Sequence, residues 1–317
     1  MKIKKMLFVA ICFGLLSLAF APLHSYLSVE TAEASKLSPH TPVSSDGSIG
    51  VSTNKSTHKG AIQDNKGAYS PSFIGSGKQS PTQSKPSNKI VTGASEIGIS
   101  AIIGTDDRTQ ITNTTSYPYR AIVYIETNRG RCTGWLIGPH TVVTAGHCVH
   151  SGGSNGQWAT WARVYPGKNG SSNPYGYANA TNFKSVVGWT QNGNHEYDYG
   201  AIQLDRDIGN STGWFGFRWQ AASYAGEAET ITGYPGEKNG TMWTHANRIH
   251  YDTERKLYYQ NDTTGGQSGS PIYQNRSGCG YCGIGIHAYG SSQYNSGTRI
   301  TEGVFNNLLN WKNEPLN

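Results

Sequence analysis

Beyond Ala101 the chain is a succession of short apolar runs separated by Gly, Asn and Thr. RAIVYIE (120–126), TVVTAG (141–146), FKSVVGW (183–189), YGAIQL (199–204), ETITGY (229–234), SPIYQ (270–274) and GIGIHAYG (283–290) are rich in β-branched and aromatic residues. Each has the length of a strand and is bounded by turn formers. A helical period appears only in VFNNLLNW (304–311), where Val304, Phe305, Leu308 and Leu309 share one face and Thr301 can cap the start. Many short strands with one terminal helix predict an all-β barrel or sandwich, and the length of this region accommodates two barrels packed together.

The first hundred residues read differently. In MKIKKMLFVAICFGLLSLAFA three lysines precede a short apolar run that stops at Pro22, the pattern of a secretory signal peptide over 1–34. Ala32-Glu33-Ala34 offers a small-x-small cleavage site, and a retained membrane anchor is the alternative. Residues 35–100 are rich in Ser, Thr, Pro, Lys and Gly and poor in large apolar side chains. Such a stretch buries too little surface to offset the entropy of ordering it, which predicts a largely disordered propeptide or linker. A wall-associated stalk is the competing idea.

Charge follows the same division. Residues 1–100 hold 10 of the 26 Lys and Arg and 5 of the 20 Asp and Glu, so the remainder is nearly neutral. The basic balance therefore belongs to the leader, and the folded part carries no electrostatic footprint for nucleic acid.

Of five cysteines, Cys12 lies in the signal segment, leaving Cys132, Cys148, Cys279 and Cys282. An even number in an exported chain predicts disulfides. Three pairings are possible, and proximity favours Cys132 with Cys148 and Cys279 with Cys282. The Cys-Gly-Tyr-Cys spacing also suits a redox pair or half a zinc site, but no helix start or further ligand accompanies it.

Three separated segments carry candidate chemistry. In CTGWLIGPHTVVTAGHC (132–148) two apolar stretches flank Gly138-Pro139-His140, a hairpin whose second strand ends at His147. A histidine beside a cross-linked cysteine is held rigidly, as a general base must be. In DYGAIQL (198–204) Asp198 opens an apolar strand, where a carboxylate needs a partner such as a histidine N–H. In TTGGQSGSP (263–271) Gly265 and Gly266 permit a tight turn, Ser268 is a candidate nucleophile, and the N–H groups of Gly266 and Ser268 can converge on an oxyanion. Gly269 leaves room for substrate. Any one of these segments alone would be read as an ordinary structural histidine, strand-end aspartate or loop.

TAGHC, DYGAIQL and GGQSGSP together resemble the chymotrypsin-like serine peptidases, and within them the bacterial glutamyl endopeptidase branch. The resemblance covers 101–317 and implies two six-stranded antiparallel β-barrels with the active site between them. It implies His147 as base, Asp198 as orienting carboxylate, Ser268 as nucleophile, and a Cys132–Cys148 bridge clamping the His147 loop. Two departures stand out from the animal digestive members. Gln267 replaces the aspartate that pairs with the new N-terminus on activation, so activation works differently here. Ala288 replaces a serine that supports the catalytic aspartate, so some other group must hold Asp198.

The pocket admits two readings. Six residues before Ser268, Asp262 occupies the position where trypsin-like members carry an aspartate selecting Lys and Arg. Thr263 and His287 argue the other way, since a hydroxyl and an imidazole donate to a carboxylate. In the glutamyl branch such residues bind substrate Glu, and the mature α-amine, here near Ala101, adds charge. That reading is favoured, with Asp262 turned away from the pocket. Cleavage after Glu96 is a candidate self-processing step. The expectation is a secreted, monomeric endopeptidase cutting polypeptides after Glu and less after Asp, with no cofactor or metal. It has no nucleic-acid partner and no stable membrane association once the signal is removed. Trypsin-like cleavage and a non-catalytic binding module are the alternatives.

Overall fold

Ile122–Thr127 is buried along nearly its whole length, on both faces, in a computed structural model that describes residues 37–51, 61–64, 67–80 and 101–316. The signal segment 1–34 and Glu96 lie outside the described residues. Ile122 and Tyr124 pack with Trp135, Phe215 and Tyr234, whereas Val123 and Ile125 pack with Leu136, Val142 and Ile202. One face of the strand fills a barrel and the other meets a second barrel, which is why RAIVYIE is a continuous apolar run and not an alternating one.

The strands, in chain order, begin in the leader with β1 (Pro42–Ser44), β2 (Ile62–Asp64) and β3 (Gly67–Ser70). They continue with β4 (Thr109–Ile111), β5 (Ile122–Thr127), β6 (Gly130–Leu136), β7 (Thr141–Thr144), β8 (Ala162–Pro166), β9 (Ala178–Val186) and β10 (Gly200–Leu204). The second half supplies β11 (Gly216–Gln220), β12 (Ala228–Gly233), β13 (Met242–Asp252), β14 (Lys256–Tyr259), β15 (Pro271–Arg276), β16 (Gly280–Tyr289) and β17 (Asn295–Arg299).

Strands β5 to β10 form one antiparallel ring in the order β9-β10-β7-β6-β5-β8, closed by β8 against β9. Strands β12 to β17 form the other, in the order β15-β12-β13-β14-β17-β16, closed by β15 against β16. Each is a closed six-stranded barrel, as expected, and β11 adds to β16 in parallel. Ile231, Ile249, Leu257, Tyr259, Ile272 and Ile284 fill the second barrel. The terminal helix, Glu302–Lys312, is capped by the Thr301 hydroxyl accepting from Val304 N–H, and it buries Val304, Phe305, Leu308, Leu309 and Trp311. Both disulfides take the favoured pairing, Cys132–Cys148 and Cys279–Cys282.

Within the leader, the described residues 37–51, 61–64 and 67–80 include three short strands. β1 pairs with β9 of the first barrel, and β3 pairs with β11 beside the second. Thr41, Ser44, Ala68 and Ser70 are buried. The described leader strands need no core of their own: β1 pairs with the end of β9 that lies beyond β8, β3 adds to β11, and β2 adds to β3. Backbone hydrogen bonds supply what the side chains lack.

Candidate active site

His147 sits on the helical turn Gly146–Val149 that follows β7, tethered through Cys148 to Cys132 on β6. Its Nδ1 lies 2.7 Å from Asp198 Oδ2, and its backbone N–H donates to Asp198 Oδ1 at 2.8 Å. Asp198, at the mouth of β10, is completely buried. Burial alone would raise its pKa, but the charge and hydrogen bonds of His147 outweigh it and hold the carboxyl below its ordinary value. These bonds supply the support that Ala288 lacks the hydroxyl to give. The Tyr289 hydroxyl faces the same carboxylate, and Thr298 Oγ1 donates to the Asp198 carbonyl at 3.0 Å. His147 Nε2 is buried and has no hydrogen-bond partner among the described residues.

Ser268 is brought to the neighbourhood of His147 by its backbone. Its carbonyl accepts from Thr133 N–H at 2.9 Å and stands 3.8 Å from Cys148 Sγ. The turn before it is closed by Gln267 N–H donating to the Thr264 carbonyl. Gly266 has φ +91°, and a Cβ there would come within 2.8 Å of the Tyr234 carbonyl oxygen. Gly269, φ +89°, corrects an expectation: a Cβ would stand 2.1 Å from the Thr133 carbonyl oxygen and 2.2 Å from Thr144 Oγ1. Its missing side chain lets the serine turn close on the first barrel and does not open space for substrate.

Asp262 faces away from the role its position suggests. One carboxylate oxygen accepts from Ile103 N–H and the other from Asp107 N–H, both at 2.8 Å. The same segment places Ala101, whose carbonyl accepts from Thr263 N–H and from Asn295 Nδ2, and whose N–H donates to Asn295 Oδ1 at 3.0 Å. Thr263 is fully buried, and among the described residues its hydroxyl has no hydrogen-bond partner. His287, on β16, is also buried, with Nδ1 2.6 Å from the Tyr259 hydroxyl. Burial, and then the charges of His147 and Lys256, push its pKa down to about 3, so the ring is neutral. Asn295 and Tyr259 escaped the sequence reading. Neither lies in a motif, and only strand pairing brings them to the site.

Among the described residues two clusters have the composition of a metal site, and neither fits a metal. Cys132, His147 and Cys148 lie together, but both sulfurs are joined in a disulfide. In the cluster of Asp107, His245 and Asp262, the Asp262 oxygens already accept backbone N–H groups and His245 Nδ1 accepts from Asp262 N–H.

The proteins to which this chain is similar are proteases, although one of them carries a metalloprotease name. The family model for trypsin matches residues 106–311. A glutamyl endopeptidase of Bacillus licheniformis is 48% identical over 90% of this chain and 92% of its own. An extracellular metalloprotease of Bacillus subtilis is 43% identical over 87% of this chain and 88% of its own. A solved Glu endopeptidase complexed with MPD superposes with a TM-score of 0.63 at 31% identity, over 68% of this chain and 100% of that one.

Proposed function

We propose that this chain, which belongs to the trypsin family and is a serine endopeptidase, cuts polypeptides after Glu, and less readily after Asp. Ser268 is the nucleophile and His147 the base. As the Ser268 oxygen bonds to the substrate carbonyl carbon, His147 Nε2 takes its proton, while Asp198 holds the ring with Nδ1–H toward the carboxylate. Charge on the carbonyl oxygen is met by the N–H groups of Gly266 and Ser268. His147 then protonates the leaving amine, the C–N bond breaks, and water repeats the steps to release the acyl group. Export, to which the two disulfides are suited, belongs to the same proposal.

The observation that carries the specificity is the commitment of Asp262 to Ile103 and Asp107. With that carboxylate spent, Thr263 and His287 make the pocket a set of donors. The buried Thr263 hydroxyl lacks a partner among the described residues, and a substrate carboxylate is a suitable one. In the tautomer in which the Tyr259 hydroxyl donates to Nδ1, neutral His287 carries its proton on Nε2, as a donor to a carboxylate must. Residues before Ala101 must leave for its α-amine to add positive charge. A panel of peptides with Glu, Asp, Gln, Lys or Arg at the cut tests this in the mature protein. Cleavage after Glu should exceed that after Asp, with Lys and Arg uncut; preference for Lys would overturn the pocket reading. Ser268 should be labelled by diisopropyl fluorophosphate, and an unlabelled protein would exclude the acyl-enzyme mechanism.

A further inference from the structure

The neutral Gln267 before the candidate nucleophile is gripped by a residue from near the start of the folded domain. Arg108 is 2% exposed in its side chain, and all five of its guanidinium N–H groups have acceptors. Nε and one Nη2 proton go to the two oxygens of Asp106, each at 2.9 Å, and the other Nη2 proton goes to Glu237 Oε1 at 2.7 Å. Nη1 donates to Thr264 Oγ1 and to Gln267 Oε1, each at 2.8 Å. Gln267 Oε1 also accepts from Thr264 N–H at 3.0 Å, and Thr264 Oγ1 donates to Glu237 Oε2 at 2.6 Å. Both ends of the turn 264–267 are thus tied to one rigid, planar cation.

We propose that Arg108 is a positioning residue for the oxyanion-binding turn, holding Gly266 and Ser268 in place through Gln267 and Thr264. This rests on the assignment of Ser268 as nucleophile. The charge balance explains the amide: Asp106 and Glu237 already pair Arg108, so a third carboxylate at 267 is not required. The grip is complete while the leader is still attached, because no atom of the Ala101 amine takes part. The turn is therefore formed before maturation, and removal of the leader alters the substrate pocket and not the oxyanion donors.

Gln267→Ala tests the proposal while leaving the Arg108 ion pairs intact. It should lower kcat on a Glu-anilide about 100-fold, comparable to loss of an oxyanion donor, with KM changed less than threefold. Labelling of Ser268 by a peptidyl-Glu phosphonate should slow by the same factor. Gln267→Glu, which retains the acceptor, should recover most of the lost kcat, and Arg108→Met should match Gln267→Ala where it folds. A kcat for Gln267→Ala within threefold of wild type, or a loss confined to KM, would overturn the proposal whatever Arg108→Met does. If the wild-type protein itself is not labelled at Ser268, the nucleophile assignment fails and the proposal falls with it.

Discussion

Thr263→Val keeps the shape of a buried side chain and removes one hydroxyl. If that hydroxyl meets the substrate carboxylate, kcat/KM on Glu peptides should fall by roughly tenfold or more, about 1.5–3 kcal/mol, with a smaller fall on Gln peptides. An equal fall on both would place the hydroxyl outside the pocket. Glu229 poses a different residue-scale question. It is 3% exposed, and Asn261 is the polar side chain that faces its carboxylate. Burial pushes its pKa from 4.5 up to about 8. Between those values the folded chain retains a proton that the unfolded chain has released, so this group makes stability fall as pH rises. Glu229→Gln abolishes that contribution. In a Ser268→Ala background, its gain in denaturation free energy over Glu229 should be small at pH 5 and should increase toward pH 8. A gain independent of pH would contradict the buried acid. The chemical residues His147, Asp198 and Ser268 could be picked out because each lies in a run of distinctive local composition. Arg108 could not: it follows two aspartates in a polar stretch, and its role exists only through partners more than a hundred residues away.

At the scale of elements, the leader strands form without an apolar run of their own. A polar strand that would be disordered alone is ordered on an edge that offers backbone partners. Beside β1, His40 Nδ1 lies 2.9 Å from the Tyr199 hydroxyl and Nε2 lies 3.2 Å from Arg255 Nη1. Burial, and then the Arg255 charge, lower its pKa from 6.5 to about 4. The docked segment thus resists a proton that the free segment accepts. Its docking is strongest above 6.5 and is lost progressively as pH falls toward 4, by up to roughly tenfold per pH unit. In the Ser268→Ala precursor, amide exchange at Val43 and Ser44, corrected for intrinsic rate, should accelerate between pH 7 and pH 5, and His40→Asn should flatten the change. Exchange with the same protection at both pH values would refute this account. β13, which sequence reading missed, exposes Asn247 and Arg248, so that no apolar run marks it.

For the whole molecule, two barrels divide the work. The first supplies His147 and Asp198 from neighbouring elements, and the second supplies Ser268, Thr263 and His287. Their contact is the aromatic layer of Trp135, Phe215, Tyr234 and Tyr273, which fixes the two halves relative to one another. The sequence by itself determined the all-β class, the terminal helix and the reactive residue types. Strand periodicity and the backbone demands of tight turns are local properties, written in consecutive residues. Only the tertiary structure decided that Asp262 serves the segment at Ile103–Asp107, that Asn295 receives Ala101, and that Arg108 grips the turn before Ser268. Asp262 and Asp107 are 155 residues apart. A carboxylate, an amide and a guanidinium can each pair in many ways, and which partner each one takes is set by the fold that excludes water from the others.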